Sequence, residues 1–284
     1  MPQKGAVVAI SSQVSRGHVG NRAMVFALER LGFEVWAAPT IMLPFHPGHG
    51  RAEKIVIDPD RFAGLLGALV QDKRGPDVAG IVSGYFASVE QVHAVASLVA
   101  RVKSLRPDAL YLCDPVIGDD DGLYVDAAIA GEIRDQLVPL ADLLTPNAFE
   151  LRWLHGADAG ADLVALARGL TPPVVLVTTA PSMMRGQIGN LLVTRDDALL
   201  FEHPIFESAA KGTGDLLAAL FLGRRLRGES WEQAAAAAIG SVADIVAGSA
   251  KENADELLVA ALQDSIAEPW SNVSMRRLGA GVRK

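Results

Sequence analysis

The sequence has a single cysteine, no run of 18 apolar residues and no excess of positive charge. One thiol cannot close an internal disulfide, and Cys113, set in ALYLCDP, reads as a small buried strand residue, with a reactive thiol as the competing reading. Without a long apolar run or an N-terminal signal, the expectation is a soluble cytoplasmic protein. Lys and Arg total 26 against 33 Asp and Glu, a formal net charge of −7. Nucleic acid and membrane surfaces select a basic face, so neither is expected as a partner, and small-molecule chemistry suits the balance better. A structural metal site also lacks its ligands. His46 and His49 flank Pro47 and Gly48 with no Cys or third His nearby, so hydrogen bonding to an organic substrate is the better use for them.

What the chain does have is 284 residues, half of them hydrophobic, enough for one large domain spanning residues 1–284. Short β-rich apolar runs at 6–11, 34–40, 78–85, 109–115, 143–147 and 174–179 alternate with segments of helical period near 20–31, 60–73, 88–105, 126–138 and 161–169. Ser88 and Gln91 have capping-box spacing. Continuously apolar strands imply a sheet covered on both faces, hence a three-layer α/β/α domain with a mostly parallel sheet. After residue 179 the pattern becomes an antiparallel hairpin, 188–194 and 198–204, expected at the sheet edge. Helices at 213–226, 230–249 and 254–267 should follow, the second with Ser230 and Gln233 as a capping box. The alanine run 234–238 reads as a tightly packed helix face, and the basic stretch 269–284 as a frayed tail.

The most informative segment is KGTGDLLAALFLG, 211–223. Gly212 and Gly214 let the backbone turn sharply and present successive N–H groups at the start of a helix, an anion cradle. Asp215 at its lip can accept a proton from an attacking hydroxyl, as phosphoryl transfer requires. A glycine turn with an ordinary aspartate N-cap is the alternative. Parallel sheets bind ligands at the carboxyl ends of their strands. There stand Ser12, then Thr40, His46 and His49, then Ser83 and Tyr85, then Asp114, then Asn147 and Glu150. Asp114 and Glu150 beside a phosphate cradle are candidate Mg²⁺ ligands; each alone reads more readily as a cap or solvated acid, and the two together with GTGD favour the metal. GHVGN at 17–21 lacks the spacing of a nucleotide loop and reads as a helix entrance packed near the substrate site. LPFHPGHGRAEK, 43–54, reads as an irregular loop covering a ligand.

Taken in order, AISSQVSRGHVGN, LGFEVWAAPT, VSGYFASVEQ, LYLCDPVIGD with GLYV, PLADLLTPNAFELRWL and GTGD resemble the pyridoxal kinases of the ribokinase-like superfamily, from about residue 6 to 267. GTGD marks the whole superfamily, whereas the first segment joined to SGY, CDPVIGD and TPNxxE belongs to its vitamin-kinase branch. The resemblance implies an ATP-dependent kinase acting on the 5′-hydroxymethyl group of pyridoxal to give pyridoxal 5′-phosphate. It implies that Asp215 is the catalytic base and that Gly212, Thr213 and Gly214 form the anion hole. Ser12 matches a residue bonded to the pyridine ring, and Ile41, Pro47 and Tyr85 fall where the family lines its substrate pocket, beside His46 and His49. Asp114, Tyr124, Glu150 and Thr178 match positions around ATP phosphates and Mg²⁺, with Asn147 in the same motif. Many members use a monovalent cation, usually K⁺, and form homodimers. Two departures stand out. The substrate loop is PFHPGHG, with His49 where a tyrosine is expected, and Thr178 replaces a lysine of some members. A hydroxymethylpyrimidine kinase and a non-catalytic B6-binding or carrier protein are the alternative functions.

Overall fold

The computed structural model describes residues 5–71, 75–206 and 211–278. In chain order its elements begin β1 (Ala6–Val14), α1 (Asn21–Arg30), β2 (Glu34–Leu43), β3 (Ile55–Val56), α2 (Pro59–Gln71), β4 (Val78–Ser83), α3 (Val89–Leu105) and β5 (Leu110–Cys113). A small hairpin, β6 (Gly118–Asp119) and β7 (Gly122–Leu123), then leads to α4 (Ala127–Glu132), β8 (Leu143–Leu144), α5 (Ala148–His155) and α6 (Leu163–Gly169). The chain continues through β9 (Val174–Ala180), β10 (Gln187–Thr194), β11 (Ala198–Pro204), α7 (Thr213–Leu226), α8 (Trp231–Lys251), α9 (Asp264–Ala267) and β12 (Ser274–Arg277).

Ten strands form one sheet in the order β12-β11-β10-β9-β8-β5-β4-β1-β2-β3. Its six central strands, β9 to β2 in that order, pair in parallel, while β10, β11 and β12 at one end and β3 at the other pair antiparallel. The apolar runs are continuous because both faces are covered. Along β1, Val8 and Ile10 pack with Phe62 and Leu66 of α2 and Val92 and Val95 of α3. Val7 and Ala9 point the other way, into a core with Leu28 of α1, Leu220 of α7 and Ala234 of α8. This alternation makes three layers. Helix α8 is long and apolar enough to cross a membrane, yet Ala234, Ala235, Ala238 and Ile239 are buried against the sheet side of the core.

Four sequence expectations need correction. The segment 126–138 is α-helical only to Glu132, then winds as a π turn over Ile133–Leu137, where the Val138 N–H reaches Ile133 O. Pro139 follows in a 3₁₀ turn and supplies no N–H to continue an α-helix. Of 254–267 only Asp264–Ala267 is helical, because Asn253 turns left-handed and Leu257 and Val259 are drawn into the core. Helix α5, Ala148–His155, follows the expected strand at 143–147 and was not among the expected helices. The tail is not frayed over 274–277: β12 pairs Leu199↔Arg277 through Glu202↔Ser274, so the hairpin is inside the sheet edge. Residues 72–73 of the expected second helix and 279–284 of the tail lie outside the described residues.

Ser230 and Gln233 form the reciprocal capping box, but Ser88 and Gln91 form half of one. The Gln91 side-chain oxygen accepts instead from the Ala87 N–H at 3.0 Å, and its amide donates to Thr40 O at 2.9 Å and Ile57 O at 3.0 Å, tying α3 to β2 and to the residue after β3. The C-terminal strand is held by buried Asp244, which accepts from the N–H groups of Trp270 at 2.9 Å and Ser271 at 3.1 Å. Replacing Asp244 with Ala should cost about 1–3 kcal/mol of unfolding free energy and speed trypsin cleavage at Arg276 and Arg277. Urea melts and timed digestion check it, and unchanged cleavage would show that Asp244 does not hold the strap.

Candidate active site

Strand order reverses between β1 and β4, opening a crevice at their carboxyl ends. There β1 and β2 slip register, from Ser11↔Pro39 to Gln13↔Met42, so Thr40 and Ile41 together oppose Ser12. This bulge turns the ends of both strands toward the next loop. The Thr40 hydroxyl donates to Tyr85 O at 2.8 Å, and the Tyr85 N–H donates to Ser11 Oγ at 3.2 Å, fixing Tyr85 just past β4. Tyr85 is half-buried, which raises its phenol pKa. Ser12 is partly exposed beside Gly20, and Ile41 is buried.

Helix α7 starts at Gly212, whose φ of 99° is left-handed and whose missing side chain lets His18 O come close. The Leu216 N–H is the first to bond back, to Gly212 O at 3.0 Å, so the N–H groups of Thr213, Gly214 and Asp215 have no partner within the helix. They are a ready anion site. Asp215 projects from this first turn, where the Gly20 N–H and the Ser11 hydroxyl favour its charged form. Burial outweighs them and pushes it up to about 6.

Asp114 follows β5 and accepts from the Thr145 hydroxyl at 3.0 Å. Burial, then the like charges of Glu150 and Asp215, hold its pKa well above the usual carboxylate range. Glu150 is engaged differently from its sequence assignment as a metal ligand. Its Oε1 accepts from the N–H groups of Ile117 at 3.1 Å and Gly118 at 3.4 Å, and its Oε2 from Asn147 N–H at 2.8 Å. With Asn147 Oδ1 accepting from Glu150 N–H, the two make the capping box of α5, and Asn147 Nδ2 donates to Gly118 O at 2.8 Å. Burial still pushes Glu150 up to about 8. Tyr124, half-exposed, donates its hydroxyl to Asp119 on β6, and Thr178, near the end of β9, bridges to Asn147. Beside it Thr179 holds a left-handed φ of 51°, a strained conformation for a β-branched residue.

The flap carries the two histidines on a 3₁₀ turn, Pro47–His49. His46 Nδ1 accepts from Gly48 N–H at 3.0 Å, and burial, with Lys211 and His49 nearby, lowers its pKa. His49 Nε2 lies 3.1 Å from Glu256 Oε1, so that histidine points to the turn after α8. Pro47 is exposed on this turn. The structure therefore gathers Ser12, Tyr85, Asp114 and the 212–215 turn at the crevice, and Asn147, Glu150, Tyr124 and Thr178 around the neighbouring loop. Sequence reasoning missed Ser11, Thr145, Asp119 and Thr179. Ser11 sat in view inside AISSQ, but neighbours on a strand face opposite ways and only the fold shows that Ser11 is the buried serine of the two.

Among the described residues no group of three or more His, Cys, Asp and Glu side chains converges on one metal-sized point. Magnesium does not need one, since it is commonly held by one or two carboxylates together with substrate phosphates. Asp114 fits that use: it is an oxygen donor crowded by like charge at the mouth of the anion turn, its Oδ2 3.9 Å from where a Cβ on Gly214 would stand.

Crowded acids carry a stability cost with a definite sign. Raised native pKa values mean that the folded state binds protons more tightly, so stability is highest at low pH and falls as pH climbs from about 4 through 6 and 8. Asp114→Asn removes one charge while keeping an oxygen for Thr145. Its Tm should exceed that of the parent protein at pH 8 and converge with it near pH 5. Scanning calorimetry at the two pH values checks this, and a lower Tm at pH 8 would contradict it.

The sequence matches the family profile described as phosphomethylpyrimidine kinase over residues 49–257. It is similar to pyridoxal kinase PdxY of Rubrobacter xylanophilus, 35% identical over 281 residues that cover 96% of this chain and 97% of that one. With pyridoxal kinase PdxY of Deinococcus radiodurans it is 40% identical over 244 residues, 80% of this chain and 81% of the other. Among solved structures, pyridoxal kinase from Leishmania donovani in complex with ADP and pyridoxamine superposes with a TM-score of 0.90 at 26% identity, covering 97% of this chain and 100% of that one. The three-layer fold with its mostly parallel sheet and antiparallel edge strands matches the ribokinase-like superfamily, and the relatives place the chain in its vitamin-kinase branch. Within that branch the chain belongs to the pyridoxal kinases of the PdxY type.

Proposed function

We propose that the chain transfers the γ-phosphoryl group of ATP to the 5′-hydroxymethyl oxygen of pyridoxal, giving pyridoxal 5′-phosphate and ADP. The observation that carries the chemistry is the first turn of α7, where a carboxylate of raised pKa stands among N–H groups that have no backbone partner among the described residues. Asp215 takes the hydroxyl proton as the oxygen attacks phosphorus and the bond to ADP breaks. The N–H groups of Thr213, Gly214 and Asp215 take up charge on the transferring group, positioned before the reaction and so without reorganisation. A magnesium ion at Asp114 would neutralise charge on the ATP phosphates. Ser12, Ile41 and Tyr85 form the wall for the pyridine ring, with the flap of His46, Pro47 and His49 over it. Asn147 and Glu150 hold the loop through Gly118 against which Tyr124 and Thr178 face the nucleotide.

K⁺ stimulation and a homodimer are further parts of this reading that rest on the family resemblance, and cytoplasmic residence rests on composition. Rates in K⁺ against tetramethylammonium, and sedimentation of the full chain, test the first two.

Asp215→Asn should keep the fold and ATP binding while lowering kcat by ~10² to 10⁴, the loss typical of a general base. ATP consumption by the parent protein should depend on pyridoxal and exceed that with hydroxymethylpyrimidine. Turnover favouring the pyrimidine would assign the chain to that alcohol, and pyridoxal binding without ATP consumption would leave a carrier. Near-normal kcat in folded Asp215→Asn would remove the base from its role.

A further inference from the structure

We propose that Gln91, on α3 outside the crevice, is a positioning residue for the alcohol substrate: its side-chain amide fixes the width of the slot between Ile41 and Tyr85. This rests on the proposed function, in which those two residues wall the substrate ring. Gln91 is fully buried in the first turn of α3. Its Oε1 accepts from the Ala87 N–H at 3.0 Å, and its Nε2 donates to Thr40 O at 2.9 Å and to Ile57 O at 3.0 Å. A backbone N–H only donates and a carbonyl only accepts, so the three partners leave the amide one orientation. They come from three separate segments: Thr40 lies in β2, Ile57 just past β3, and Ala87 two residues beyond Tyr85. Thr40 and Ile57 are also the two feet of the flap, and the Ile57 N–H donates to Thr40 O at 3.1 Å. One side chain therefore holds both feet of the flap and the loop that carries Tyr85.

Thr40 is where the circuit closes. It stands in the register slip, where two residues of β2 oppose Ser12, and its hydroxyl donates to Tyr85 O at 2.8 Å. Hydrogen bonds thus run from Gln91 to Thr40 and across to Tyr85, and the chain returns through Phe86 to Ala87 and so to Gln91. Ile41 directly follows Thr40, so the amide sets how far that wall stands from Tyr85. Starting the helix does not need this amide, since a glutamate at the same position also accepts an N–H there. What glutamate lacks is the pair of N–H groups that reach Thr40 and Ile57. The circuit shares no residue with the α7 turn or with the loop through Gly118, so its effect should fall on pyridoxal and spare ATP.

The test uses the full-length chain with Gln91→Glu, Gln91→Met and Thr40→Val, reading kcat, KM for each substrate, pyridoxal affinity by isothermal titration, and Tm. Gln91→Glu keeps an oxygen for the Ala87 N–H but turns the other toward two carbonyls, and Gln91→Met removes all three bonds without burying a charge. Both should raise KM and Kd for pyridoxal roughly 10- to 100-fold, with KM for ATP within about twofold. A purely structural role would reduce the amount of active protein, lowering apparent kcat while leaving both KM values alone. Thr40→Val breaks the circuit at Tyr85 O and should raise the pyridoxal KM in the same way. Adding Gln91→Met to Thr40→Val should cost less than Gln91→Met does alone, because both cut one circuit. An unchanged pyridoxal KM in the folded Gln91 variants, an equal rise in the KM for ATP, or full additivity with Thr40→Val would each overturn the inference. Should neither Gln91 variant fold, Thr40→Val carries the test, and an unchanged pyridoxal KM there overturns it. A parent protein that neither binds nor phosphorylates pyridoxal overturns the proposed function and this inference with it. Normal turnover of the parent beside unchanged KM values in the variants overturns this inference alone.

Discussion

Three carboxylates, Asp114, Glu150 and Asp215, share one water-poor crevice at the ends of parallel strands, and the loops around them are shaped by the need to satisfy them. Each has its pKa raised by burial, and Asp114 also feels the other two. Buried acids persist only where donors meet them. Glu150 takes three backbone N–H groups and thereby closes α5 and bends the loop through Gly118. Asp114 takes the Thr145 hydroxyl, and the Ser11 hydroxyl and Gly20 N–H favour the charged form of Asp215. The repulsion that remains lowers stability near neutral pH and leaves the mouth of the crevice receptive to a cation and to what that cation carries. Stability has been given up at the place where phosphate chemistry needs charge.

A second dependence runs through the turn 17–20. Gly17 passes against the Glu256 carboxylate, His18 O against Gly212, and the Gly20 N–H favours the charged form of Asp215, while Gly20 itself packs on Ser12. Glycine at 17 and 20 takes φ of 89° and 57°, and a side chain at either position would strike these neighbours. Four parts of the site thus register on four residues: the C-terminal turn, the anion hole, the base and the end of β1. The sequence presents this stretch as a helix entrance near the substrate, which is its place but not its reach, because each contact comes from far along the chain.

The layers were legible because apolar periodicity is local: strands buried on both faces and helices with one apolar stripe announce themselves within a dozen residues. The α7 turn was legible for the same reason, GTGD being contiguous. What stayed hidden depended on distant partners. β12 reads as loose basic tail until Arg277 meets Asp197 at 2.6 Å and Glu232 at 3.2 Å. The helical period of 254–267 loses to the pull of the core on Leu257 and Val259, aided by the Ser249 hydroxyl accepting the Leu258 N–H at 3.0 Å. For Glu150, a sequence cannot tell a carboxylate awaiting a metal from one already holding three N–H groups.

The flap joins these two themes. Its sequence is PFHPGHG, and its side chains are occupied with holding the loop down. Arg16 stacks over Phe45 at 5.3 Å, Phe45 meets His49 edge-on at 6.5 Å, and His49 reaches Glu256 at 3.1 Å. Glu256 also lies 3.8 Å from Arg16, so arginine, flap and C-terminal turn close a ring of contacts around Gly17. The histidine that stands in place of a tyrosine is thus part of a clasp whose other end is the turn that positions Gly212 and Asp215. Substrate cover and phosphoryl cradle are braced on the same four residues, and a motion that opens the flap must release Glu256 from the side of the site where phosphate is held.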